Sequence, residues 1–186
     1  MSDEVRRDLD GRMHRALEAL ERDLGAIRTG RASTALVERI QVEYYGTQTP
    51  LNQLASISVP EAHSILIQPW DRSALGAIEK AILRSDVGLT PNNDGTVVRL
   101  TIPALTEERR KDLVKLVHKR MEEARVEIRN HRRDVADELK KAERDGDVSV
   151  DEGRREMDAL QKVTDRWIAE VERVGKHKEQ EILEVG

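Results

Sequence analysis

The chain of 186 residues contains no cysteine and no phenylalanine, and tryptophan and tyrosine together make up only 2% of it. Without cysteine there can be no disulfide framework and no thiolate nucleophile. Such a composition suits a reducing compartment, and we expect a cytoplasmic protein. The scarcity of aromatic rings excludes a large aromatic core, so Leu, Val, Ile and Ala must fill the interior.

Long hydrophobic runs are also absent. No apolar stretch approaches the roughly 18 residues that a membrane-spanning helix needs. The N-terminal residues Met1-Ser2-Asp3-Glu4 are acidic and do not resemble a signal peptide. We therefore expect no membrane partner.

Proline is confined to the middle of the chain, where all five prolines lie between positions 50 and 103. Because proline breaks helix interiors, both flanks can form long helices and the middle cannot. The middle is also less charged and richer in β-branched residues, with alternating apolar positions that are typical of short strands. We predict a small domain inserted into a helical one.

The flanks carry apolar residues at close to heptad spacing, charged residues cover their other faces, and 37% of the whole chain is charged. The first predicted helix runs from about Asp3 to Thr29, with Gly30 as its C-cap. The second runs from about Glu107 to Arg144. The third runs from about Asp151 to Leu183, with Ser149 as a candidate N-cap.

These patterns predict an α+β fold in which a long antiparallel three-helix bundle, residues 1–30 and 104–186, receives an inserted β/α/β domain, residues 31–103. Two connections join the domains and must lie side by side. A glycine within one of them makes the pair a candidate hinge, and a rigid packed junction is the alternative. The hinge candidates are Thr29, Gly30, Arg31, Ile102, Pro103 and Ala104.

The net charge of −4 argues at first against a nucleic-acid partner, but the charge is unevenly distributed. From Arg109 to Arg133 the second helix has ten Lys or Arg and four Asp or Glu, a local net of +6. Arg125, Arg129 and Arg132 follow an i, i+4, i+7 spacing, which predicts a solvent-facing stripe widened by Arg133. Guanidinium groups match phosphate oxygens, so the stripe is a candidate RNA-binding or DNA-binding surface.

Other functions remain open from the residues alone. A basic helix face can also be a solvated surface with intrahelical ion pairs, as Glu122 and Arg125 suggest. A coiled-coil scaffold or adaptor that binds protein is a second alternative. An enzyme is a third, although no catalytic constellation is visible and the His118–Glu122 pair lacks a third metal ligand. We expect both tryptophans, Trp70 and Trp167, in the core, which leaves no exposed ring for base stacking.

Several strings in the chain resemble the bacterial ribosome recycling factor family, and the resemblance extends over essentially the whole sequence. They are Ile27–Ala32 (IRTGRA), Glu43–Thr47 (EYYGT), Pro50-Leu51 with Gln53–Ser56 (QLAS), Leu105–Lys111 (LTEERRK) and Val126–Asp134 (VEIRNHRRD). The resemblance implies an L-shaped pair of domains. It also implies a factor that binds the post-termination ribosome along its large subunit.

The resemblance further implies that elongation factor G and GTP act with the factor to split the ribosome into subunits, and that the factor itself hydrolyses nothing. Arg129, Arg132 and Arg133 match arginines that contact large-subunit rRNA in the family, and Arg28 and Arg31 match its hinge-proximal arginines. We expect a monomer without cofactor or metal. The candidate RNA-binding residues are Arg28, Arg31, Arg109, Arg110, Arg125, Arg129, Arg132 and Arg133.

Overall fold

The structure is a computed structural model that describes residues 1–184, and these form an α+β fold. The helices are α1 (Asp3–Gly25), α2 (Leu75–Arg84), α3 (Glu107–Arg144) and α4 (Val150–Leu183). The strands are β1 (Gln41–Tyr44), β2 (Thr47–Pro50), β3 (Ala55–Glu61), β4 (Ser64–Pro69), β5 (Pro91–Asn93) and β6 (Val98–Thr101).

Contacts divide the described residues into two compact units. The helical unit comprises residues 1–28 and 107–184, and the inserted unit comprises residues 29–106. The predicted boundaries at 30/31 and 103/104 stay a prediction, and the contacts assign Gly30 and Ala104 to the inserted unit.

Ser2 is the N-cap of helix α1, because its hydroxyl accepts a hydrogen bond from the Val5 amide at 3.3 Å. The predicted end at Thr29 is wrong. The helix ends at Gly25, where the Ile27 amide donates to the Leu24 carbonyl at 3.1 Å in a tighter turn. Gly30 is therefore not a helix cap.

Helices α3 and α4 follow the heptad pattern closely. The predicted bounds of α3 are confirmed, and α4 begins one residue before the predicted Asp151. Ser149 is confirmed as the N-cap of α4 and forms a capping box with Glu152, in which each side chain accepts from the other residue's backbone amide.

The three long helices alternate in direction within the helical unit. The Met1 amino group donates to Glu156 and the Trp167 indole donates to Asp10 at 3.0 Å, so α1 and α4 run parallel. Arg125 on α3 pairs with Glu172, while His118 pairs with the later Glu179, so α3 runs antiparallel to α4. The buried seam of α3 contains Leu113, Val117, Met121, Ala124, Ile128, Val135, Ala136 and Leu139.

Gly175 on α4 allows a close contact with α3. A Cβ placed on Gly175 would lie 2.2 Å from the Met121 sulfur and 2.7 Å from its Cγ. Both residues are buried, so Gly175 leaves the space that Met121 occupies. The apolar periodicity did not predict this contact, because a glycine carries no hydrophobic signal.

The inserted unit contains a β1–β2 hairpin and a four-stranded antiparallel sheet in the order β3-β4-β6-β5. Helix α2 shares a hydrophobic core with both sheets. The fully buried side chains at its centre are Val37, Val42, Leu51, Ile65, Ile67, Ile78, Val98 and Leu100. Asp71 caps a short 3₁₀ turn over Arg72–Ala74 that leads into α2.

Two expectations for the aromatic residues are corrected. Trp70 was expected in the core but is 69% exposed, because it follows the last inward-facing position of β4. Tyr45 is 81% exposed in the hairpin turn, so the expectation that no ring faces solvent is also wrong. Trp167 is half-buried. No helix formed by residues 1–184 has the length and apolar character required to cross a membrane.

The tight contact at Gly175 predicts opposite effects for two glycine substitutions in the helical unit. Gly175→Val should destabilise the protein by about 1–3 kcal/mol, because the added methyl groups overpack the Met121 contact. Gly11→Ala should stabilise it by about 0.5–1 kcal/mol, since a Cβ there meets only Arg15 at 3.6 Å. Urea unfolding followed by circular dichroism measures both, and equal effects would contradict the packing described.

Candidate nucleic-acid interface

The four arginines in the second half of α3 fall into two pairs around the helix. At 100° per residue, Arg132 and Arg125 lie only about 40° and 60° from the fully buried Ile128. Arg129 and Arg133 lie about 100° and 140° from it and face solvent. The predicted single solvent-facing stripe is therefore wrong, and its Arg125 and Arg132 lie at the edge of the seam.

Arg125 is held by two carboxylates. Its Nε donates to Glu122 at 2.9 Å and its Nη1 donates to Glu172 on α4 at 2.6 Å, and its side chain is only 19% exposed. Burial alone lowers the pKa of the guanidinium, but the two paired carboxylates outweigh it and raise the pKa above its ordinary value. Arg125 thus joins α3 to α4 and is poorly placed to bind a phosphate.

Arg132 is positioned without being neutralised. Its Nε donates to the Gln161 side-chain oxygen at 2.8 Å, and Gln161 in turn donates to Asp165 at 2.8 Å. Within residues 1–184 no carboxylate lies within ion-pair distance of Arg132. An amide acceptor fixes the direction of the guanidinium and leaves its charge available to an external anion.

Arg129 and Arg133 are the accessible pair. Arg129 is 56% exposed and lies 3.6 Å from Glu122, which itself already accepts from Arg125. Arg133 is exposed and makes no ion pair or side-chain hydrogen bond with the described part of the chain. Exposed ion pairs contribute little free energy, so a phosphate can displace the Glu122 contact easily.

The same face of α3 extends beyond the predicted arginines. Lys115 and Lys140 lie at about the same angle as Arg133 and Arg129, and both are exposed. Sequence reasoning missed them, although Lys140 follows Arg133 by seven residues and Lys115 precedes Arg129 by fourteen, which was a readable signal. Together these side chains extend over roughly 38 Å of helix at 1.5 Å per residue.

The remaining predicted arginines do not join this face. Arg109 and Arg110 lie in the first turn of α3, about 30 Å along the helix from Arg129 and at other angles. Arg109 is exposed and Arg110 is half-buried. Arg28 and Arg31 are both exposed. Arg28 belongs to the helical unit and Arg31 to the inserted unit.

Within the inserted unit, the two predicted connections do lie side by side. Gly30 adopts φ +77°, and a Cβ there would lie 3.6 Å from the Pro103 carbonyl oxygen and 3.4 Å from Leu105. The His63 ring Nδ1 lies 2.6 Å from the Gly30 carbonyl oxygen. The left-handed backbone favours glycine here, whereas the contacts that a Cβ would make are ordinary van der Waals distances.

The histidines give no metal site. His118 lies 3.3 Å from Glu179 on α4 rather than sharing a ligand set with Glu122. Across residues 1–184 no group of three or more His, Cys, Asp or Glu side chains is arranged to hold a metal ion.

Comparison with known proteins decides the family. The sequence model described as "Ribosome recycling factor" matches residues 20–183. The chain is 56% identical to the ribosome-recycling factor of Shouchella clausii and 52% identical to that of Bacillus subtilis, in each case over 185 residues and 100% of both chains. The chain belongs to the ribosome recycling factor family. Members of this family are translation factors without enzymatic activity.

Solved structures of the ribosome recycling factor family agree with this assignment. A solution structure of a ribosome recycling factor matches with a TM-score of 0.71 and 46% identity, covering 100% of both chains. A Thermus thermophilus member, described in models with Escherichia coli elongation factor G on the E. coli post-termination complex, matches with a TM-score of 0.59 and 47% identity over 97% of both chains. The family resemblance of the sequence is thus confirmed.

The two arginine pairs on α3 predict different consequences for stability. Arg125→Ala should lower the free energy of unfolding by about 1–2 kcal/mol, because it leaves Glu172 without its partner. Arg133→Ala should change it by less than about 0.5 kcal/mol. Urea denaturation of both variants measures the difference, and equal losses would contradict the assignment of Arg125 to the α3–α4 junction.

Proposed function

We propose that this chain binds the post-termination ribosome and, together with elongation factor G and GTP, promotes its dissociation into subunits. Membership of the ribosome recycling factor family supports this proposal. A second support is the T. thermophilus relative, which is described with elongation factor G on a post-termination complex. The chain acts as a monomer in the cytoplasm and leaves GTP hydrolysis to its partner.

Arg129, Arg132 and Arg133 bind phosphates of large-subunit rRNA in this proposal. The observation that carries it is that, within residues 1–184, Arg133 has no carboxylate partner and Arg129 only a loose one, on a helix whose opposite face is buried. Guanidinium groups fixed on a rigid helix lose little freedom when they bind phosphate oxygens. The secondary candidates for phosphate binding are Arg28, Arg31, Arg109 and Arg110. Arg125 contributes indirectly, because it joins α3 to α4.

The mode of contact follows from the composition of α3, which contains no aromatic residue. Base stacking on aromatic rings therefore cannot contribute there, and in this proposal binding relies mainly on phosphate and sugar contacts and on the shape of the RNA. The exposed Trp70 and Tyr45 belong to the inserted unit, whereas this face belongs to the helical unit.

Paired substitutions on α3 test the docking proposal. Arg129→Ala with Arg132→Ala should weaken binding to purified large subunits about 100-fold, since each charge-assisted contact contributes about 1.5 kcal/mol or more. Binding is measured by pelleting labelled protein with the subunits. Circular dichroism must show unchanged helicity, because Arg132 also contacts Gln161.

Arg120→Ala is the matched control. Arg120 lies on the same helix about 180° from Arg129 and pairs with Glu123 at 3.0 Å. Replacing it removes one positive charge, the same change that each substitution in the double variant makes. The control should bind normally. If the double variant also bound normally, or if the control lost as much affinity, the docking surface would be wrong.

The whole activity is tested by subunit splitting with elongation factor G and GTP. The wild-type chain should split post-termination ribosomes, and Arg133→Ala should slow the reaction without altering stability. A protein-binding scaffold, the alternative from another functional class, would show no splitting and no dependence on these arginines.

The segments Thr29–Arg31 and Ile102–Ala104 act as a hinge in this proposal, with Gly30 supplying the backbone freedom. Electron-resonance distances between spin labels on α2 and α3 should form a broad distribution in solution. Gly30→Ala should narrow or shift that distribution, because the φ of +77° is strained for alanine. A single narrow distance in the wild-type chain would contradict the hinge.

A further inference from the structure

The inserted unit contains an open cleft of about 810 Å³ between α2 and the segment that includes β1. Four of its apolar side chains are half-buried and pack against the hydrophobic core, so the floor of the cleft is continuous with the folded interior. The small and aliphatic residues of the cleft are Ala35, Leu36, Ile40, Gly76, Ala77 and Ala81. The function proposed above uses none of them.

Three basic side chains stand around this apolar floor. Lys80 and Arg84 are one turn apart on α2, and Arg39 belongs to the opposite wall. All three are exposed, and none makes an ion pair with another side chain of residues 1–184. The cleft therefore combines basic side chains that form no ion pair within residues 1–184 with a surface suited to small apolar groups.

The rest of the lining selects between partner classes. The carboxylates of Glu43 and Asp86 also line the cleft. A nucleic-acid backbone, with a charge at every nucleotide, cannot avoid their repulsion, whereas a peptide can place uncharged residues beside them. None of the lining side chains is aromatic, so a base could not stack there. The polar amides of Gln41 and Gln48 can instead donate to peptide carbonyls and carboxylates.

We propose that this cleft binds an extended acidic peptide segment of a protein partner, with small or aliphatic residues between its Asp or Glu side chains. The acidic side chains pair with Lys80, Arg84 and Arg39, and the apolar ones contact the alanine-rich floor. The proposal goes beyond the proposed ribosome function and does not rest on it. Its residues belong to the inserted unit, whereas the proposed RNA-binding face belongs to the helical unit.

Gly76 offers a way to close the cleft without disturbing the fold. It lies in α2, lines the cleft, and a Cβ added to it would meet nothing within 4 Å. An alanine there should be tolerated and should favour the helix. A tryptophan at the same backbone position would extend into the space that a peptide needs.

The test uses the full chain and a fluorescein-labelled peptide of repeated Asp-Leu-Glu-Ala units, with binding measured by fluorescence anisotropy. Wild type and Gly76→Ala should bind the peptide equally. Gly76→Trp, and separately Lys80→Glu with Arg84→Glu, should reduce the affinity at least about tenfold, the effect of losing one charged contact. Arg99→Glu, a charge reversal on β6 outside the cleft, is the control and should reduce it less.

Three results would overturn the proposal. They are equal binding of a repeated Lys-Leu-Arg-Ala peptide, normal binding by both cleft variants, and tighter binding of a single-stranded RNA that depends on the same residues. Large-subunit binding by Gly76→Trp separates this proposal from the ribosome function. Loss of peptide binding with normal subunit binding supports the cleft, whereas normal peptide binding overturns it whatever the ribosome result.

Discussion

The buried seam of α3 determines which of its charges can act. Val117, Ile128 and Val135 are almost completely enclosed by the other two long helices, and each buried aliphatic side chain contributes about 1.5–3 kcal/mol. The helix therefore cannot rotate to present Arg125 to solvent or to withdraw Arg133 from it. This packing fixes the position of every other side chain on α3. The proposed RNA-binding face therefore follows from it.

This constraint also reconciles a net charge of −4 with a polyanionic partner. The acidic side chains of Glu122 and Glu172 pair with Arg125. In the described part of the chain, Arg132 therefore has only an amide acceptor and Arg133 has no carboxylate partner. Binding responds to the local field, not to the total charge. The inserted unit carries a different local pattern, cations around an apolar cleft, and so suits a different kind of partner.

Sequence periodicity predicted the features of the fold that depend on repeated apolar positions. The bounds of α3, the Ser149 cap and most of the seam were readable because each side chain's burial follows from its neighbours three and four residues away. The different environments of the arginines could not be predicted, because Arg125 donates to Glu172 and Arg132 donates to Gln161, both on another helix. The short polar strands β2 and β5, the Gly175–Met121 contact and the exposure of Trp70 likewise depend on tertiary neighbours.

The dependence of large-subunit affinity on salt tests the central claim most directly, since each phosphate contact releases counterions. The logarithm of affinity should fall linearly with the logarithm of salt concentration. Arg133→Ala should reduce the magnitude of that slope by about 1, while Arg120→Ala leaves it unchanged. Identical slopes for the wild-type chain and Arg133→Ala would show that this guanidinium does not meet a phosphate, and would contradict the proposed binding face.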